Sequence, residues 1–163
     1  MLERLQALKP ESMLDIGAGS GTYGKLFVEH FPHAYRIGVE VCAPYLTQFD
    51  LPRLYDEMRL EDVRDMYLLP RADVIILGDV LEHMTEGEAL MVWERALYSA
   101  RKAVYLSVPI VHYPQGPHEG NPFEEHVVDD YSHERILETF SGIGAHWTGE
   151  VVGVYEALTC NPA

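Results

Sequence analysis

The segment Asp15-Ile16-Gly17-Ala18-Gly19-Ser20-Gly21-Thr22 constrains this chain more than any other. It continues a short apolar run, residues 13–16, that fits a buried strand. It precedes Tyr23, Leu26, Phe27 and Phe31, which share one face of a helix that Pro32 ends. Glycines at a strand-to-helix turn let the backbone approach a ligand closely, because no side chain intervenes. In such sheets the ligand lies beyond the carboxyl ends of the strands. The competing reading is a tight turn that serves no ligand.

The rest of the chain repeats this alternation. Residues 35–40 read as a second strand, 44–49 as a short helix and 57–60 as a weaker third strand. Residues 73–77 and 103–108 read as two more strands. Between them Ala89, Val92, Trp93, Ala96, Leu97 and Ala100 recur at helical spacing. Ile136, Leu137 and Phe140 suggest a last helix, with Ser132 as its N-cap. Residues 145–158 carry two strand-like runs joined near residues 148–150. The expected fold is therefore α/β and Rossmann-like, a mostly parallel sheet with helices on both faces and an antiparallel edge hairpin.

Composition narrows the class. A length of 163 residues suits one domain over residues 1–163. With 47% hydrophobic and 23% charged residues, disorder is not expected. Apolar runs such as Val74-Ile75-Ile76-Leu77 fall far short of the ~20 residues of a membrane span. Residues 1–9 read as a short amphipathic helix rather than a signal peptide. Two cysteines, Cys42 and Cys160, make neither a disulfide framework nor a zinc quartet. A reducing, cytoplasmic setting is the expectation. Twenty-six acids against twelve bases leave a net charge of −14. That charge disfavours nucleic acid and anionic membranes, whose recognition rests on Lys and Arg. A small-molecule acceptor is the expected partner, and nothing in the sequence speaks to oligomeric state.

The glycine segment admits two registers. Gly19, Gly21 and Gly24 satisfy the dinucleotide fingerprint G-x-G-x-x-G, but that register starts three residues beyond the strand. An NAD(P)-dependent oxidoreductase is therefore the rival reading. The other register, Asp15-x-Gly17-x-Gly19-x-Gly21, sets a carboxylate ahead of the glycines. A diphosphate would be repelled there, whereas the ammonium group of S-adenosylmethionine (SAM) would be attracted. Glu40 ends the second strand, where an acid can accept both hydroxyls of an adenosine ribose. Asp62-Val63 follows the third, where a carboxylate and an amide can meet an adenine. Each acid alone reads as solvated surface; three at successive strand ends do not.

Met13-Leu14-Asp15-Ile16-Gly17-Ala18-Gly19-Ser20-Gly21, Val39-Glu40, Glu61-Asp62-Val63-Arg64-Asp65 and Asp73-Val74-Ile75-Ile76-Leu77-Gly78-Asp79-Val80-Leu81-Glu82-His83 resemble the successive motifs of class I SAM-dependent methyltransferases. The likeness is to the short, type 11/12-like domains and runs from Met13 to about Leu158. It implies a seven-stranded sheet of order 3-2-1-4-5-7-6. It also implies that Asp15, Gly17, Ala18, Gly19 and Gly21 surround the methionine part. Glu40 and Val41 would then meet the ribose, Asp62 and Val63 the adenine, and Gly78 with Asp79 the amino group. A catalytically silent SAM-binding subunit would share these features.

Asp79, Glu82 and His83 stand at i, i+3 and i+4 of a segment that reads as the opening of a helix, which would cluster them where the methyl points. His126 follows a proline- and glycine-rich stretch, residues 109–125, that is long enough to act as a lid or binding loop. A similar acid-x-x-Glu-His group, joined by a later histidine, holds a divalent metal in small-RNA 2′-O-methyltransferases, and ubiquinone-pathway O-methyltransferases show a comparable sequence. Three readings of the cluster stand open. Asp79 caps a helix while Glu82 and His83 fill the floor of the site; or His83, with Glu82 and His126, does metal-free acid–base work; or the group holds a divalent cation. The sequence favours His83 as a base, without a metal, if the cluster acts at all.

Overall fold

In the computed structural model, which describes residues 1–118 and 120–160, the predicted alternation is realised strand by strand. Strands β1 (Ser12–Ile16), β2 (Tyr35–Glu40), β3 (Glu57–Leu60), β4 (Ala72–Gly78), β5 (Ala100–Pro109), β6 (Ala145–Thr148) and β7 (Val152–Leu158) form one sheet. Their order is β3-β2-β1-β4-β5-β7-β6, with β7 antiparallel to both neighbours and the other pairings parallel. A dinucleotide-binding sheet of order 3-2-1-4-5-6 has no reversed strand inserted beside β5.

Strand periodicity sorts the core into two layers. Leu14 and Ile16 of β1, Ile75 and Leu77 of β4, and Val104 and Leu106 of β5 face one way. They pack under α4 (Glu86–Ser99), whose Ala89, Val92, Trp93 and Ala96 are fully buried, and under Ile136 of α5 (His133–Thr139). The alternate residues Met13, Val74, Ile76, Ala103 and Tyr105 face the other layer. There they meet Leu5 of α1 (Leu2–Leu8) and Phe27 of α2 (Thr22–His30), with α3 (Ala43–Gln48) packed at the margin. Each aliphatic side chain so buried contributes about 1.5–3 kcal/mol, and β4, buried from Ala72 to Leu77, anchors both layers.

Helix ends follow sequence chemistry. Thr85 accepts from the Glu88 N–H while the Glu88 carboxylate accepts from Thr85, a capping box that starts α4. Ser132 caps α5 as expected, accepting from the Arg135 N–H. The expected helical opening at residue 79 is not found. Asp79 is left-handed at φ 53°, residues Leu81–His83 make one 3-10 turn, and α4 begins only after Thr85. The capping box outcompetes Asp79 as helix start, so Asp79, Glu82 and His83 do not share one α-helical face. Among the described residues no helix is long and apolar enough to cross a membrane.

Candidate functional site

The carboxyl ends of β1, β2 and β4 open into a cavity of about 380 Å³. Its floor is the glycine turn. Gly17 adopts φ 70°, and a Cβ there would drive into the side chain of Val80; only glycine fits both the backbone and the space. The N–H groups of Gly17 and Ala18 both donate to the Val39 carbonyl, at 2.9 and 3.1 Å, tying the turn to the end of β2.

Glu40 completes the tie. Its Oε2 accepts the Gly19 N–H and its Oε1 the Cys42 N–H, each at 2.8 Å. The side chain is nearly buried yet forms part of the cavity wall. Each carboxylate oxygen keeps a further acceptor site, so both can still receive hydroxyl donors from the cavity. Asp62 is gripped by Arg64, whose Nε and Nη2 reach its two oxygens at 2.9 and 2.6 Å. That guanidinium holds the Asp62 carboxyl below the ordinary range. At the end of β4 the Tyr23 ring lies against Gly78, where a Cβ would collide with it. Burial pushes the Tyr23 phenol up to about 12, so it stays protonated.

Of the residues that sequence assigns to the site, Gly17, Ala18, Gly19, Glu40, Val41, Asp62, Val63, Gly78, Asp79 and His83 line this cavity. Asp15, Gly21, Glu82 and His126 do not. Strand alternation explains Asp15, which points with Met13 into the α2 layer, where Tyr55 Oη donates to its Oδ2 at 2.5 Å. It is fully buried and its Oδ1 has no partner among the described residues. Burial, opposed by the Tyr55 hydrogen bond, raises its pKa to about 7. The carboxylate that does face the cavity at the β4 end is Asp79, whose pKa burial also raises. Gly21 is the N-cap of α2, pressed against Leu51 and Leu54, and serves the turn rather than the wall.

The long loop after β5 folds back over the cavity. Asn121, Phe123 and Glu124, within the 109–125 stretch read from sequence as a lid or binding loop, form its outer wall together with Tyr45 and Phe49, which sequence reasoning missed. Tyr45 Oη donates to Glu124 at 2.9 Å, joining α3 to the loop. Gln115 Nε2 donates to the Glu124 carbonyl, and the Val127 and Val128 N–H groups both donate to the Glu82 carbonyl. These last two bonds seat His126 beside Glu82 and His83. The three side chains bring one ligand atom each within 4.8 Å of one another, and the two imidazole rings stand 4.9 Å apart. Asp79 is not part of this group. Burial depresses the His83 pKa and raises that of Glu82 well above the usual range, with Asp79 and Glu124 adding to the latter.

No protein-family model matches the sequence, and no curated protein matches it either. Solved structures do. The N-terminal domain of EvdMO1 with S-adenosylhomocysteine (SAH) bound is 16% identical at TM-score 0.67, over 96% of this chain and 80% of that one. Magnesium protoporphyrin IX methyltransferase (ChlM) from Synechocystis PCC 6803 with bound SAM is 14% identical at TM-score 0.67, over 97% and 74%. An O-methyltransferase family 2 protein from Planctomyces limnophilus DSM 3776, in complex with apigenin, is 16% identical at TM-score 0.66, over 91% of this chain and 49% of that one. At these identities the likeness shows a shared fold, and this chain spans about half of the last protein.

Proposed function

We propose that this chain is a SAM-dependent methyltransferase acting on an oxygen or nitrogen of a small-molecule acceptor and releasing SAH. The observation that carries the reading is Glu40, a buried carboxylate braced by the glycine turn with acceptor capacity left toward the cavity. In this reading Glu40 takes the ribose hydroxyls, and Asp62 with the Val63 amide takes the adenine. Gly17, Ala18, Gly19, Gly78 and Asp79 border the methionine end, with Asp79 rather than Asp15 as the carboxylate nearest its ammonium. The support from outside the chain is that neighbours of the same fold were crystallised with SAM or SAH, and one with the small molecule apigenin.

The chemistry asked of the protein is mainly alignment. The acceptor lone pair attacks the methyl carbon in line with the C–S bond, that bond breaks, and its electron pair stays on sulfur as SAH forms. Positioning of this kind supplies effective molarities of ~10⁵–10⁸ M. An oxygen acceptor must also lose its proton, and His83 is the one imidazole on the cavity wall among the described residues. The test is thermal unfolding with SAM, SAH and NAD, followed by mass-spectrometric detection of SAH from SAM in the presence of phenolic, hydroxy-acid and amine acceptors. Stabilisation by SAH of about 2.7 kcal/mol at ~100 times its Kd, with none by NAD, is expected. Stabilisation by NAD alone would overturn the reading.

A further inference from the structure

We propose that Glu82, His83 and His126 form a binding site for one divalent transition-metal cation at the edge of the cavity. The first observation is the fixed tautomer of both imidazoles. His83 Nδ1 lies 3.1 Å from the Glu125 carbonyl and His126 Nδ1 lies 2.7 Å from the Tyr113 carbonyl. A carbonyl only accepts, so each Nδ1 carries the hydrogen and each Nε2 keeps its lone pair. A backbone carbonyl behind Nδ1 is the arrangement that orients a metal-binding imidazole and raises its basicity.

The second observation is Glu82. Its side chain is 1% exposed, and neither carboxylate oxygen has a hydrogen-bond partner among the described residues. Leaving a buried polar group unpaired costs about 1–3 kcal/mol, more when it is charged. A purely structural cluster would relieve this by turning an imidazole N–H toward the carboxylate. Here both N–H groups are spent on backbone carbonyls instead. Asp79 and Glu124 add negative potential nearby. What remains is three donors pointing at a common space, with ligand atoms within 4.8 Å of one another. Donors around a tetrahedral cation at about 2.1 Å stand ~3.4 Å apart, within reach of small side-chain rotations.

Two imidazoles and one carboxylate are the donor set of Mn²⁺, Fe²⁺, Co²⁺ or Zn²⁺ rather than of Ca²⁺. His83 belongs both to this group and to the cavity wall, so the cation would border the acceptor space. This deepens the methyl-transfer reading and rests on it for its catalytic meaning. An acceptor hydroxyl bound to the cation loses its proton to water more readily, which replaces His83 as a free base, the role favoured from sequence alone. The methionine ammonium does not account for Glu82, because that carboxylate is not on the cavity wall.

The test is a calorimetric titration of chelator-treated, dialysed protein with Mn²⁺ and, separately, with Zn²⁺. One cation per chain is expected. His126→Ala, a change at a half-buried loop position, is expected to weaken it by more than the ~10–100-fold that loss of an outer hydrogen-bonding partner costs. Glu82→Gln should do the same. SAH binding by His126→Ala serves as the control for folding and is expected within a few-fold of the unmodified protein. Absence of cation binding, or binding that survives both substitutions, would overturn the site. Cation binding without SAH binding in the unmodified protein would leave the site standing and remove the methyl-transfer reading instead.

Discussion

Glu40 and Glu82 are both buried carboxylates at the same end of the sheet, yet Glu40 accepts two backbone N–H groups and Glu82 accepts none among the described residues. The contrast separates the cavity wall at the end of β2 from the side-chain cluster at the cavity's edge. At the end of β2 the chain satisfies the carboxylate itself, and Glu40 shapes the glycine turn before any ligand arrives. In the loop cluster the Glu82, His83 and His126 side chains converge without hydrogen bonding to one another. Buried polar atoms are paired in nearly all folded proteins, so an unpaired one beside two metal-type donors calls for a physical reason. Asp15 is the intermediate case, with one oxygen held by Tyr55 and the other unpaired.

Asp15 offers the largest effect with which to test this. Its folded pKa of about 7 exceeds the ordinary 3.8, so the folded state holds the proton more tightly than the unfolded chain. Below about pH 4 both states are protonated and no penalty exists. As pH rises from there through 7 the unfolded state releases its proton first, and stability falls relative to a neutral isostere. Asp15→Asn should therefore gain on the unmodified protein by up to about 4 kcal/mol between pH 4 and 8. Urea unfolding of both proteins across that range is the check. A gap that does not change with pH would mean that Asp15 is better solvated or paired than its burial indicates.

Glu40→Ala comes next. It removes acceptors for the Gly19 and Cys42 N–H groups and, in the proposed reading, for the ribose. SAH affinity is expected to fall by ~1.5–3 kcal/mol, as for hydrogen bonds to a charged group. Unchanged affinity by calorimetry would move the ribose elsewhere. By contrast Asp15→Asn, off the wall, should change SAH affinity by no more than a few-fold; an effect as large as that of Glu40→Ala would return Asp15 to the ligand.

Tyr45→Phe is the smallest. Loss of its bond to Glu124 should cost about 0.5–1.5 kcal/mol, felt locally. Faster hydrogen exchange of residues 121–128, with β4 unchanged, is the expected result. Equal protection in both proteins would show that Gln115 and the Glu82 carbonyl hold the loop without help from α3.

Most of the fold was legible because strand and helix periodicities agree with local chemistry at nearly every element, as in β4 and α4. The β1–β2 part of the cavity wall was legible for the same reason: Gly17, Glu40 and Asp62 stand at or beside strand ends, where position in sequence translates directly into position in space. Asp15 stands off the cavity wall, which sequence could not show, because a strand end does not reveal which face its side chain takes. The loop side was harder. Residues 79–83 carry helical spacing but fold as a left-handed residue and a 3-10 turn, since Thr85 and Glu88 cap the helix six residues later. Tyr45, Phe49 and Phe123 carry no periodicity relative to the site. They join it through long-range contact, of which the Tyr45–Glu124 hydrogen bond is one, and no local pattern encodes that.

The central claim is that ligand binding resides on the β1–β2 side, independent of the loop cluster. Calorimetric titration of SAH into the unmodified protein, Glu40→Ala and His126→Ala, side by side and in chelator, tests it most directly. The account predicts one SAH per unmodified chain, affinity retained within a few-fold in His126→Ala, and affinity reduced by about 10–150-fold in Glu40→Ala. No SAH binding by the unmodified protein, or a loss in His126→Ala as large as in Glu40→Ala, would contradict it.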